Sequence, residues 1–235
     1  MIPIPLNDHI RRQTFWIATL GLIVVNTCVF VFELSLGPQL NQFVFIFGLV
    51  PARYTTAHGI ILTSLDSFLV PVFASMFIHG GWLHLIGNML FLFVFGRSIE
   101  DRYGHGQFLV LYFLSGFGAA VAHIIFNAGS KVPTIGASGA IAGILGAYLI
   151  SFPTARITTL IPLFFFFWTV QLPALLVLLY WFLIQFVAGF QMLTIESATH
   201  GGVAWWAHVG GFLLGMLLAL ILPKRRQPRP IATWP

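Results

Sequence analysis

Three short polar clusters interrupt the apolar stretches of this sequence, and two of them hold side chains that can perform acyl transfer. One contains Ser138, flanked by Gly136 and Gly139, at the start of an apolar run. Another contains His208, and imidazole is the side chain that most often removes a proton from a serine nucleophile. We therefore interpret Ser138 as a candidate nucleophile and His208 as its candidate general base.

The remaining cluster supplies candidate donors for the oxyanion that such an attack creates. His84 and Asn88 are four residues apart, so on a helix they lie on one face. At a helix start, Ser138 would add a free backbone N–H group, and the glycines beside it would let the backbone approach a substrate carbonyl. Acidic residues lie only at the ends of the predicted spans or outside them. The sequence therefore predicts a Ser–His dyad.

These residues also have a purely structural interpretation. A serine at a helix start is usually an N-cap, and a histidine inside a membrane can cross-link helices. The pairs Gly139–Gly143 and Gly211–Gly215 have the spacing of helix-packing seams. Such seams would bring together the helices that carry the serine and the histidine, so packing and catalysis are compatible interpretations.

The composition indicates that the chain lies in a lipid bilayer. Of 235 residues, 58% are apolar and 7% are charged, whereas a soluble domain carries roughly 25% charged residues. The net charge of +5 comes from basic residues at helix ends and tails, so we expect no nucleic-acid partner. Cys28 is the only cysteine and HExxH is missing, which excludes an internal disulfide and two common metal sites. We expect no metal and no cofactor.

The apolar runs predict an all-α, polytopic membrane protein built as a bundle of six transmembrane helices. In chain order the predicted spans are 15–34, 82–99, 108–127, 138–152, 173–192 and 203–222. The membrane domain is then 15–222, and its long first loop, 35–81, is expected to contain short interfacial helices. The flanking parts are a cytoplasmic segment, 1–14, and a basic, Pro-rich cytoplasmic tail, 223–235. No small-residue cleavage site follows the first run, so we expect that span to be retained.

The positions of the basic residues predict the orientation in the membrane. With six spans both termini share one side, and that side holds every Lys and Arg except Arg53 and Lys131. A seventh span through 157–172 would move the basic tail to the other side, so we interpret 157–172 as a loop on the membrane surface. The expected location is a bacterial plasma membrane with both termini cytoplasmic.

The fourth predicted span is too short to cross a bilayer. At 1.5 Å per residue, 138–152 extends about 22 Å, whereas the hydrocarbon core is about 30 Å thick. The segment before Ser138 must then enter the membrane, where irregular backbone is tolerated only if it is buried or lines a wet cavity. We therefore expect Ser138 at the floor of a water-filled pit that opens outward.

The three clusters, in this order and on these spans, resemble the motifs of the rhomboid family of intramembrane serine proteases. The similar elements are HxxxN at 84–88, GxSG at 136–139 and AHxxG at 207–211. The ExR element at 100–102, after the second span, is also similar. The resemblance extends from 47 to 222, which is most of the chain.

The resemblance implies a role for each matching residue. Ser138 would be the nucleophile and His208 the base, and the Ser138 N–H, His84 and Asn88 would form the oxyanion hole. The other matching residues would be structural: Gly136, Gly139, Gly211, Gly215, Glu100, Arg102 and the loop-orienting His79. The implied partners are the lipid bilayer and a substrate, the transmembrane helix of another protein, with the fifth helix and 191–202 acting as gate and cap.

Two points stay open at this level. The first loop has Ala52-Arg53 where many family members have a Trp-Arg pair, so the resemblance assigns no role to Arg53. The alternative function is that of a non-catalytic rhomboid-like protein, which binds membrane helices without cleaving them. An intact Ser–His pair favours the protease, because polar groups inside a membrane are costly and usually functional.

Overall fold

The computed structural model describes residues 4–56, 59–60, 64–163, 166–194 and 204–225, and α-helices dominate this part of the chain. The helices are α1 (Ile17–Ser35), α2 (Leu40–Phe47), α3 (Leu65–Ala74), α4 (Trp82–Tyr103), α5 (His105–Phe126), α6 (Ser138–Ser151), α7 (Ala174–Thr194) and α8 (Trp205–Ile221). α1, α4, α5 and α7 are long and apolar enough to cross a membrane, and α6 and α8 are shorter apolar helices. The prediction of an all-α, multi-pass integral membrane bundle is confirmed.

The six predicted spans coincide with α1 and α4–α8, and the long first loop contains the short helices α2 and α3. α4 is continuous through a π-helical turn at Leu92–Gly96. The short fourth span is a helix of 14 residues that begins at Ser138. The fold thus places the candidate nucleophile at the first position of the shortest spanning element.

Within the described residues, two small antiparallel sheets accompany the helices. Strands β2 (Thr55–Thr56) and β3 (Gly59–Ile60) pair within the first loop. In the larger sheet, β1 (Ile4–Asp8) pairs with β4 (Arg156–Leu163), which in turn pairs with β5 (Phe166–Pro173). The stretch 157–172, expected to be a surface loop, therefore forms a β-hairpin. Residues 4–8, from the predicted cytoplasmic segment 1–14, add a third strand to the same sheet. β-branched and aromatic residues in this stretch favour strands, but a short apolar run has no periodicity that separates strand from loop.

Contacts between distant segments show which ends of the helices lie together. The Arg225 N–H donates to the Arg102 carbonyl oxygen at 2.9 Å, and the Gln13 N–H donates to Asp101 Oδ1 at 3.0 Å. At the opposite end of the bundle, Leu49 pairs with Thr134 across the first and third loops. Residues 13 and 225 therefore lie at the same end, as an even number of spans requires.

The centre of the bundle is α6, which is buried continuously from Gly139 to Leu149. It packs against α8 with backbone touching backbone: a Cβ added at Gly215 would overlap the Gly143 carbonyl oxygen, and one added at Gly211 would overlap that of Gly139. The two predicted glycine pairs thus face each other across one seam. Only residues without side chains permit this approach, which fixes α6 and α8 relative to each other.

Candidate active site

Ser138 is held at the start of α6 by a constrained connection. Gly136 has φ +120°, a conformation that residues with a Cβ rarely adopt. Its N–H donates to the Ser75 carbonyl oxygen at 2.8 Å, which ties the connection to the end of α3. The first amides of α6 have no partner within their own helix, so they are available to an anion at Ser138.

His208 lies in the first turn of α8, and its imidazole faces Ser138. The distance from His208 Nε2 to Ser138 Oγ is 2.7 Å, within hydrogen-bond reach. The imidazole is 7% exposed and lies beside the rings of Trp181 and Trp205, with centroids 5.8 and 6.5 Å away. The seam between α6 and α8 therefore positions a serine and a histidine as a nucleophile and base require.

The other nitrogen of His208 has a partner that the sequence analysis missed. His208 Nδ1 lies 2.7 Å from Oε1 of Gln185, a buried carboxamide in the middle of α7. When Nε2 accepts a hydrogen bond from the serine hydroxyl, Nδ1 carries the ring proton, and the Nδ1–H group donates a hydrogen bond to this oxygen. A carboxamide in the middle of a largely apolar span was the signal available in the sequence, since polar groups at that depth are costly.

The candidate oxyanion donors converge on Gly136, immediately before Ser138. A Cβ added at Gly136 would lie 2.6 Å from His84 Nε2 and 3.7 Å from Asn88 Nδ2. The Gly80 N–H approaches His84 Nδ1 at 3.4 Å, which favours the proton on Nε2, towards the site. The structure thus brings together the four side chains named from the sequence, and their catalytic roles stay predictions.

A buried polar chain supports Asn88 from behind. Asn88 Nδ2 lies 3.0 Å from His79 Nε2, and His79 Nδ1 donates to the Phe77 carbonyl oxygen at 3.2 Å. The backbone N–H of His79 donates to both carboxylate oxygens of Glu33 at 3.2 Å. His79 therefore accepts one hydrogen of the Asn88 amide, which leaves the second for an oxyanion. The part played by Glu33 has no counterpart in the sequence analysis.

Comparison with known proteins places this site within a family. The family model for the Rhomboid domain matches residues 67–225, which include Ser138, His208, His84 and Asn88. The chain belongs to the rhomboid family. The resemblance inferred from its three motifs is thereby confirmed.

Three curated rhomboid relatives align with between 31% and 68% of this chain. RHOMBOID-like protein 5 of Arabidopsis thaliana is 31% identical over 155 residues, 65% of this chain and 43% of that protein. Rhomboid protein 1, mitochondrial, of Saccharomyces cerevisiae is 28% identical over 169 residues, 68% of this chain and 45% of that protein. Rhomboid protease GluP of Bacillus subtilis is 43% identical over 72 residues, 31% of this chain and 14% of that protein. The chain spans less than half the length of each of these rhomboid relatives.

The remaining motif residues of this rhomboid lie away from the site. Glu100 is fully buried and accepts the N–H groups of Ala18 and Thr19 at 2.8 and 2.7 Å, so it caps the start of α1. Arg102 contributes its carbonyl oxygen to the contact with residue 225. Arg53 donates to the Phe45 carbonyl oxygen at 2.6 Å and lies over the Phe45 ring, so it ties α2 to the rest of the first loop.

Proposed function

We propose that this chain is an intramembrane serine endopeptidase that cleaves the transmembrane helices of other membrane proteins through Ser138 and His208. The observation that carries the proposal is the 2.7 Å distance from His208 Nε2 to Ser138 Oγ. A buried pair with this geometry can transfer a proton, and a pair that only joined two helices would need no oxyanion donors beside it.

The proposed reaction begins when Ser138 Oγ attacks a substrate carbonyl carbon and His208 Nε2 takes the hydroxyl proton. The negative charge that develops on the carbonyl oxygen is stabilised by the Ser138 N–H, His84 Nε2 and Asn88 Nδ2. His208 then gives the proton to the leaving amine, and a water molecule, deprotonated by the same imidazole, hydrolyses the acyl-enzyme. The groups return to their starting protonation states.

The substrate helix must unwind locally, because the carbonyl groups of an intact helix are engaged in hydrogen bonds. Transmembrane helices with Gly or Pro near the cut are therefore the proposed substrates. A small apolar groove among β1, α4 and α7, lined by Pro5, Phe91, Val177, Trp181, Ile184 and Gln185, reaches the site at Gln185. We propose that substrates enter from the lipid on this side.

We propose a bacterial plasma membrane as the location, with both termini in the cytoplasm. Residues 13 and 225 lie at one end of the bundle, and that end holds most of the Arg and Lys residues. The positive-inside rule assigns such an end to the cytoplasm.

The test uses a reporter protein with a Gly-containing transmembrane helix, reconstituted with the protein in liposomes. Ser138→Ala and His208→Ala should each reduce the rate by at least about 10³-fold, the loss typical of triad removal. Ser35→Ala, at an exposed position near the end of α1, should cleave at the wild-type rate. Equal cleavage by all four proteins would refute the proposal.

The non-catalytic alternative predicts a different result with an active-site probe. A protein that only binds membrane helices would share the groove but would not activate Ser138. A fluorophosphonate should label the wild type and leave Ser138→Ala unlabelled, with slow labelling of His208→Ala. Binding of the reporter helix without any labelling would favour the alternative.

A further inference from the structure

We propose that Gln185 is a positioning residue for the base, so that the site operates as Ser138–His208–Gln185; this rests on the proposed protease function. His208 Nδ1 and Gln185 Oε1 are 2.7 Å apart, and the two side chains are 7% and 6% exposed. The serine and the glutamine occupy opposite nitrogens of one imidazole. Such a base with an orienting group behind it is the general arrangement of an activated serine.

The function of Gln185 is to select the tautomer of the His208 imidazole that carries its proton on Nδ1. A neutral imidazole has one donor and one acceptor nitrogen, and only the tautomer with the proton on Nδ1 can accept from Ser138. The Gln185 oxygen accepts a hydrogen bond only from that tautomer. It also continues to accept from Nδ1 when Nε2 gains the serine proton, so one contact serves the resting site and the charged intermediate.

The buried surroundings explain why an amide occupies this position. Trp181 and Trp205 cover His208 with aromatic rings, and their indole N–H groups can only donate. A carboxylate at this depth would carry a large desolvation cost, whereas a carboxamide satisfies Nδ1–H without a net charge. Within the described parts of the chain, no carboxylate hydrogen-bonds to His208, which matches a neutral orienting group.

A competing interpretation is that Gln185 only joins α7 to α8. The two interpretations differ in which substitutions they tolerate. A cross-link is lost in any variant that weakens the bond, and its loss lowers stability. A positioning residue acts on turnover and can be replaced by another acceptor of the same length, such as glutamate.

The kinetic experiment compares Gln185→Leu, Gln185→Glu and the control Gln42→Leu, which removes an exposed carboxamide from α2, outside the proposed site and gate. Gln185→Leu should lower kcat about 10- to 100-fold, with KM within about twofold, as for other residues that orient a functional histidine. Gln185→Glu should recover much of this loss, and Gln42→Leu should match the wild type. Thermal unfolding in detergent verifies that each variant is folded.

A second readout does not need a substrate. In protein labelled with ¹⁵N-histidine, the Nδ1–H proton of His208 should give a protected downfield resonance that persists in Ser138→Ala and Gln185→Glu. It should disappear in Gln185→Leu. A wild type that shows this resonance, loses it in Gln185→Leu and yet has no protease activity would support the role of Gln185 as the partner of Nδ1 and refute the proposed function.

Two results would overturn the proposal for Gln185 while the protease assignment stands. The first is wild-type kcat in folded Gln185→Leu together with an unchanged His208 resonance. The second is equal loss of activity in Gln185→Leu and Gln185→Glu, with the resonance retained in both, which is the behaviour of a structural cross-link.

Discussion

α6 and α7 both contact α8 at His208, but they pack in opposite ways. α6 is buried along almost its whole length and meets α8 through glycines, backbone against backbone. α7 leaves many large side chains exposed, among them Leu176, Leu183 and Phe190, and borders the groove towards α4. The imidazole of His208 is therefore hydrogen-bonded to the central helix α6 through Nε2 and to the peripheral helix α7 through Nδ1.

The difference separates two requirements of the site. The distance between nucleophile and base depends on the seam, where no side chain can rearrange. The orientation of the base depends on a helix with few packing partners beyond α8. Variants in the seam should therefore affect folding and activity together, whereas variants on the outer face of α7 should affect neither.

The largest expected effect comes from filling the seam. Gly215→Leu forces a side chain into the Gly143 carbonyl group, and neither backbone can move without separating α6 from α8. We expect a loss of more than about 4 kcal/mol in unfolding free energy, enough to prevent folding. Expression and thermal unfolding in detergent measure it. Gly21→Leu is the control, because Gly21 is exposed on α1 with nothing within 4 Å of an added Cβ. A folded, active Gly215→Leu would contradict the claim that the seam between α6 and α8 admits no side chain.

The next effect tests the residue that α4 contributes to the site. Asn88→Ala removes a donor from the proposed oxyanion hole and should lower kcat about 10²- to 10³-fold, or about 2.7–4 kcal/mol. Ile86→Ala, at a position 56% exposed on the same helix, should leave kcat unchanged. Steady-state cleavage of the reporter helix gives both values. An unchanged kcat in Asn88→Ala would show that this amide serves only the contact with His79.

A matched pair of leucines compares the two helices directly. Leu145 on α6 is fully buried, whereas Leu183 on α7 is 57% exposed. Leu145→Ala leaves a cavity and should cost about 2–3 kcal/mol, and Leu183→Ala should change the unfolding free energy by less than about 0.5 kcal/mol. Unfolding by SDS titration measures both. Equal costs would mean that α7 is packed as firmly as α6.

The smallest expected effect concerns the end of the bundle farthest from the serine. Glu100→Gln replaces one charged acceptor at the start of α1 with an N–H₂ group that cannot accept from Ala18 or Thr19. The loss should be about 1–2 kcal/mol, as for a hydrogen bond to a charged group, with kcat unaffected. The exposed acid variant Asp66→Asn should change stability by less than about 0.5 kcal/mol, and unfolding in detergent compares the two. A drop in kcat with intact stability would link this end to the site.

The spans and the Ser–His pair could be predicted from the sequence because each depends on a pattern within one short stretch of residues. Long apolar runs define the helices, and polar residues inside such runs indicate a site. The facing glycines followed from their spacing of four. Gln185 and Glu33 were missed because nothing in a single span shows which neighbour a lone polar side chain will meet. The pairing of β1 with β4 joins segments about 150 residues apart, and no local pattern encodes such a contact.

The position of β1 has a consequence for assembly during synthesis. Its Asp8 is buried and bonds Arg12, Ser98 and Tyr148, while its backbone pairs with β4. At about 5–20 residues per second, the ribosome needs roughly 8–30 s to make the chain between these strands. Strand β1 therefore completes its contacts only after the fourth span has been translated. Docking of β1 is then a step that cannot begin until four of the six spans have been made.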